Sequence, residues 1–408
     1  MGVSVLPALS ELLLLILILV AIMAAGVSFI WLNFKIWSAK LYLPLMGLVS
    51  LTVGVTVFTF GGSILTASFF AAVPFLIALY FKLALKGNYR SATLFLAPAT
   101  LGIIFLFLYP LVFEFYLSFH DLSLRTFSDW INGTGIPLAS QGGFGNYIEV
   151  FQNRATGQSF IFVLWRTIVW TAVNLVFHLG VGLALALLLN TKGVRGVGIY
   201  RTVLTLPWVI PQVIAVLVWR ADFNENIGFV NQFIMVTNQL FSWQWNGEWV
   251  QPLTWIGFQP QAWFLDGDAL FTAACIVNIW LGIPFMMINC LGALQSIPHS
   301  VYEAASIDGA GWLQKFRHVT LPLLKPVMVP AAILGGIWTF NNLNVIFLLT
   351  DGGRYEGADI LVTDLFKQSF TYYRYGFAAA YSFVIFAILC VLTVLQLRAS
   401  RENRPNLV

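Results

Sequence analysis

The run His299-Ser-Val-Tyr-Glu-Ala-Ala-Ser-Ile-Asp-Gly-Ala-Gly-Trp-Leu-Gln-Lys-Phe-Arg-His-Val-Thr-Leu-Pro-Leu-Leu-Lys-Pro326 separates two apolar runs, 270–294 and 327–350. It carries Glu303, Asp308, Lys315, Arg317 and Lys325. Each charge at the centre of a bilayer costs about 2.5–3.5 kcal/mol, so five together keep this segment in water. The segment still has the pattern of a folded element. Val301, Ala304, Ala305 and Ile307 stripe one short helix, and Gly309 and Gly311 supply a turn. Trp312, Phe316 and Val319 stripe a second helix, which Pro322 is expected to stop. Two amphipathic helices at a corner offer an apolar and charged knob to another protein.

Composition sets the surroundings of this elbow. Hydrophobic residues make up 59% of the 408 and charged residues 9%, which excludes a water-soluble globular domain. The fold class is therefore an all-α polytopic membrane protein, whose surroundings are the lipid bilayer and not a nucleic acid. Cys275, Cys290 and Cys390 all lie in apolar runs and read as free thiols, with neither a disulfide nor a metal indicated. No Gly-x-x-x-x-Gly-Lys-[Ser/Thr] occurs, so nucleotide chemistry would have to come from a partner.

A hydrocarbon core of roughly 30 Å takes about 20 apolar residues per helix. Nine spans are expected on that basis. The first is 9–32, which lacks a basic leader and reads as a retained helix with its N-terminus outside. A helical hairpin follows over 41–81, turning at Gly61-Gly62-Ser63. Later spans are 92–117, 162–189, 202–220, 270–294, 327–350 and 377–397. With this alternation about two thirds of the 21 Lys and Arg residues fall inside, as the positive-inside rule requires. The topology is N-out and C-in. Residues 1–91 form an N-terminal set of three spans, 92–398 a six-span core, and 399–408 a short inner tail.

Glu303-Ala304-Ala305, Asp308-Gly309, Phe316 and Leu321-Pro322 resemble the spaced EAA motif of permease subunits in binding-protein-dependent ABC importers. The run 278–287 (Asn-Ile-Trp-Leu-Gly-Ile-Pro-Phe-Met-Met), Phe340-Asn341-Asn342 and 348–353 are similar to the larger permease subunit of maltose/trehalose importers. The resemblance implies a sugar-carrying subunit of a bacterial inner membrane, itself non-catalytic. It implies a second permease chain, two copies of a cytoplasmic ATPase holding ATP and magnesium, and an extracytoplasmic sugar-binding protein. The elbow would dock into the ATPase.

Asn278, Asn341, Asn342 and Asn344 lie in otherwise apolar runs, where an amide must face a helix or a cavity. Interhelical bonding, worth about 0.6–2 kcal/mol, is one reading for each. A sugar site is the other, because rings pack on C–H faces while amides pair with hydroxyls. Asn278, Leu281, Gly282 and Phe285 fall on one helical face, as do Gly335, Trp338, Thr339 and Asn342. The resemblance assigns these eight positions to a sugar site. Maltose-specific members carry tyrosine, serine and asparagine at the positions of Phe285, Gly335 and Thr339, so this chain offers fewer hydrogen-bonding groups there.

Other features admit plainer readings. His178 reads as a packing histidine, Pro207, Pro211 and Pro284 as kinks, and Glu114 and Arg166 as snorkelling or paired charges. Trp243, Trp245, Trp249, Trp255 and Trp263 form either an interfacial belt or a docking surface. An ion-coupled secondary transporter is the competing function. It calls for a carboxylate or broken helices at mid-membrane, and no Asp or Glu lies at the middle of any expected span. An intramembrane enzyme would need a Ser-His, His-Glu-x-x-His or paired-Asp set within the spans, and none occurs.

Overall fold

The structure, a computed structural model, describes residues 42–59 and, apart from short gaps, 102–402, with isolated positions 96 and 99. The expected span 9–32, the Gly61-Gly62-Ser63 turn and residues 403–408 lie outside the described residues. By packing, the chain divides into two compact units, Met1–Tyr116 and Leu117–Val408. The first contributes α1 (Tyr42–Thr59). Helix α2 (Tyr109–Ser118) runs across the division.

The second unit is helical, with long helices α3 (Phe160–Asn190), α7 (Gly267–Ser296) and α13 (Tyr375–Glu402). Between α3 and α7 come α4 (Val197–Val209), α5 (Gln212–Asp222) and α6 (Phe229–Leu240). A small hairpin of β1 (Trp243–Trp245) and β2 (Glu248–Val250) follows, pairing Gln244 with Trp249. After α7 the chain forms α8 (His299–Ile307), α9 (Trp312–Lys315), α10 (Leu321–Phe340), α11 (Leu343–Leu349) and α12 (Leu361–Phe366). Among the described residues four helices are long and apolar enough to cross a membrane, or five if the bent pair α4 and α5 is one span.

Helix α3 starts at Ser159, whose hydroxyl accepts from the Phe162 amide, and α7 starts at Asp266 in the same way through Asp268. These two helices make the most extensive helix pair in the unit. Between lipid-embedded helices there is no hydrophobic drive to associate, so close approach and dispersion must hold them. Gly182 provides that approach. A Cβ built there would lie 2.7 Å from Met286 Cβ and 3.0 Å from the Met287 nitrogen, neither of which is a flexible side-chain end. On the other side of α3, Ile161, Trp165, Val176 and Leu188 are exposed apolar residues, a face suited to lipid.

Two expected spans are not continuous. The segment expected at 202–220 is bent by 93° between α4 and α5. Pro211 lacks an N–H and drives the residue before it out of helical conformation, and Ile210 accordingly sits at φ −73°, ψ 132°. The segment expected at 327–350 breaks at Asn341–Asn342, where Asn342 has ψ 87°. Pro284, by contrast, is carried inside one uninterrupted helix.

The elbow also departs from expectation at one point. Helix α8 ends with Gly309 at φ +75° and with the Ala310 amide donating to Ala305 O, a glycine-dependent C-cap. The turn continues to Gly311, whose amide donates to Gln314 Oε1 at 2.8 Å, and α9 begins. Pro322 does not stop the second helix. The π-turn Phe316–Thr320 leads straight into α10, and Pro322 occupies its first turn, where a missing N–H is tolerated. Tyr302 Oη and Thr320 Oγ1 lie 3.0 Å apart and tie the two arms together.

Replacing Gly182 with Val should force α3 and α7 apart and destabilise the unit by about 1–3 kcal/mol. A thermal-unfolding midpoint in detergent equal to that of the parent protein would contradict the close-packing assignment.

Candidate functional site

A cavity of about 720 Å³ opens where the two helix breaks face the middle of α7. All eight sequence-nominated positions line it: Asn278, Leu281, Gly282, Phe285, Gly335, Trp338, Thr339 and Asn342. The break between α4 and α5 adds Pro207, Trp208, Ile210, Pro211 and Gln212, and α3 adds His178. No Asp, Glu, Lys or Arg is among the described residues that line it.

One wall is aromatic. Trp208 and Phe285 have ring centroids 5.9 Å apart, and Phe285 and Trp338 are 5.7 Å apart. Trp338 remains 56% exposed, so a ring face is offered to the cavity and not buried beneath it. Such a row presents π-faces to C–H groups.

The other wall is a directed chain of amides. Asn344 Nδ2 donates to Gln212 Oε1 at 3.1 Å, and Gln212 Nε2 donates to Asn342 Oδ1 at 3.4 Å. Asn342 Nδ2 then donates to Asn278 Oδ1 at 2.8 Å, and Asn278 Nδ2 to Asn174 Oδ1 at 2.8 Å. The chain ends where Asn174 Nδ2 donates to Trp170 O at 2.8 Å. Asn174 and Asn278 are buried, so their pairing removes a desolvation cost of roughly 1–3 kcal/mol per group. Asn341, by contrast, lines the cavity but donates within its own helix, to Ile337 O. Asn278, Asn342 and Asn344 serve twice. They bond between helices, and they also line the cavity.

Two backbone carbonyls of cavity-lining residues also accept from side chains. Trp170 Nε1 donates to Thr339 O at 2.8 Å, at the frayed end of α10. His178 Nε2 donates to Asn278 O at 2.9 Å, so the proton sits on that nitrogen. His178 is therefore the satisfied packing histidine expected, yet it also faces the cavity. Gly282 makes room for it: a Cβ there would fall 2.2 Å from His178 Nε2. Gly335 makes room for Met286 in the same way. Sequence reasoning missed Trp208 and Gln212 as site residues. The signal was Pro211, at which the chain bends so that both side chains reach the cavity, whereas Pro207 is carried inside α4.

The elbow forms a second, separate surface. Glu303 pairs with His299 at 2.8 Å, and Lys315 Nζ donates to Ser306 Oγ at 2.7 Å. Ile307 is 86% exposed and Trp312 75%, with Trp312 stacked on Phe316 at 5.9 Å. Ala304, Asp308 and Gly309 are exposed, Ala305, Leu321 and Pro322 half-buried. Arg166, outside both surfaces, donates to Asp359 O at 3.4 Å and lies over the Phe162 ring.

Residues 178–402, more than half of the chain, match the binding-protein-dependent transport system inner membrane component family. The chain belongs to this family. Among curated relatives of this permease, the galactooligosaccharides transport system permease protein of Bacillus subtilis is 29% identical over 76% of this chain and 70% of the relative. The maltose/maltodextrin transport system permease protein of Klebsiella aerogenes is 34% identical over 64% of this chain, and the Escherichia coli K12 protein 33% over the same share. The permease covers about half the length (49%) of those two maltose relatives. A bacterial ABC transporter involved in import of the acidic polysaccharide alginate shares the fold, with TM-score 0.59 and 21% identity over 77% of this chain and 96% of that one.

Gly282→Ala should push the imidazole off the Asn278 carbonyl and destabilise the permease by about 1–3 kcal/mol. The same change made on a His178→Ala background should cost clearly less, because the clash is gone. Equal costs in the two backgrounds, read by thermal denaturation, would show that Gly282 is not there to admit His178.

Proposed function

We propose that this permease is the sugar-conducting membrane subunit of an ATP-driven importer, moving a neutral oligosaccharide of the maltose, trehalose or maltodextrin kind. The observation that carries this is the pairing of an aromatic row with amide side chains in an uncharged cavity. Its volume falls within the roughly 300–1,000 Å³ typical of small-molecule sites. A charged solute would meet no countercharge there, whereas hydroxyls find amides and C–H faces find rings. The maltose and galactooligosaccharide transport relatives support the sugar class.

In this reading the chain crosses a bacterial inner membrane nine times, N-out and C-in, and pairs with a second permease subunit. Two cytoplasmic ATPase subunits bind ATP and magnesium, and an outer binding protein delivers the sugar. The elbow 299–326 carries the motion of the ATPase into α10, and the cavity alternates its access. That the helix after the elbow runs on unbroken from Trp312 through the first turn of α10 supports a mechanical role. A displacement at the elbow moves the wall bearing Gly335, Trp338 and Thr339. Exposed Ile307 and Trp312 are the apolar part of the docking knob.

Trp338→Ala and Asn342→Ala should each lower sugar uptake by an order of magnitude or more while the complex still assembles. Normal uptake in both variants would remove the cavity from the transport path, and transport by the chain alone in liposomes under an ion gradient would overturn the importer reading. For the elbow, Gly309→Val places a β-branched residue at φ +75°, at a cost of about 1–2 kcal/mol. Sugar-stimulated ATP hydrolysis should fall severalfold without loss of the folded spans. Fully coupled hydrolysis in that variant would count against the docking assignment.

A further inference from the structure

The amide chain is graded along its length. Its inner links, Asn342 to Asn278 and Asn278 to Asn174, are both 2.8 Å and reach into buried positions. Its outer links, Asn344 to Gln212 and Gln212 to Asn342, are 3.1 and 3.4 Å. Gln212, Asn342 and Asn344 all face the cavity. A hydrogen bond at 3.4 Å is near the limit of what counts as one, and it competes readily with other partners. Gln212 is also the first residue of α5, directly after the 93° bend, whereas Asn342 sits in the break between α10 and α11 and Asn344 in the first turn of α11. Its side chain is thus the hydrogen-bonded link between the two breaks.

We propose that Gln212 is a resident competitor for the sugar. Its amide occupies Asn342 Oδ1 and Asn344 Nδ2, an acceptor and a donor that a hydroxyl pair of a sugar would use, and an arriving sugar must displace it. Gln212 thereby sets the affinity of the site, and the exchange is local to these amides, since α5 stays packed on α11 and the Arg220–Asp351 pair, at 2.8 Å, holds the far end of α5. The short inner links keep Asn342 and Asn278 oriented while this exchange occurs. This rests on the sugar-site reading above. It is distinct from a direct contact, since a residue that binds the sugar strengthens binding and a competitor weakens it.

The sign of the effect decides. Binding of maltose, trehalose and β-1,4-galactobiose to the purified importer assembly in detergent would be measured by titration calorimetry for the parent, Gln212→Met and Asn342→Ala. Methionine keeps the length of the side chain and removes the amide. The expected result is that Gln212→Met binds about three- to tenfold more tightly, the effect of losing one competing hydrogen bond. Asn342→Ala should bind at least threefold more weakly. If Gln212→Met binds as the parent does, or more weakly, while Asn342→Ala loses affinity, the competitor role is wrong and the site stands. If Asn342→Ala binds unchanged, or the parent binds none of the three sugars, the site reading falls and this proposal with it.

Discussion

A polar group inside a bilayer has no water to turn to, so each must be answered from within the protein. The second unit is built around that requirement. Breaking α4 from α5 and α10 from α11 frees backbone carbonyls and amides near the centre of the helical bundle. Trp170 answers the Thr339 carbonyl, and the side-chain amides of Gln212, Asn342, Asn278 and Asn174 answer one another. Trp170 lies outside the cavity lining, whereas Gln212, Asn278 and Asn342 give the cavity its polar wall.

Close approach is the second ingredient. Gly182 lets α3 rest on α7 at Met286, and Gly282 lets His178 reach the Asn278 carbonyl. Both glycines sit inside regular helices and are used for space, not for backbone freedom. Gly309 at the elbow is the opposite case, chosen for its positive φ. A substitution at each kind of glycine fails for a different reason: collision in the first, backbone strain in the second.

Much of this was legible beforehand. Glycine spacing marked the turn of the elbow, where Gly309 has a positive φ, and periodicity put Asn278, Leu281, Gly282 and Phe285 on one face, where the cavity finds them. The long helices α3, α7 and α13 agree with apolar runs within a few residues, α13 extending further at its end. Pattern reading was weaker where proline was involved. Pro211 breaks a span, Pro284 does not, and Pro322 opens a helix where it was expected to close one. The outcome depends on where each proline falls relative to the helix ends, as Pro322 in a first turn shows, and a single sequence does not fix those ends.

By itself the sequence determined which segments are apolar enough to enter a membrane and which are too charged to, because transfer free energies of charges and apolar side chains are local properties. It also determined which faces are polar, because a helix has a fixed period. The tertiary structure alone decided that Trp208 and Gln212, from the two sides of a bend, join residues far away in the chain at one cavity. It likewise decided that isolated asparagines form a continuous, directed chain. Those outcomes rest on distances of closest approach and on the orientation of hydrogen-bond donors, which exist only once the helices have packed.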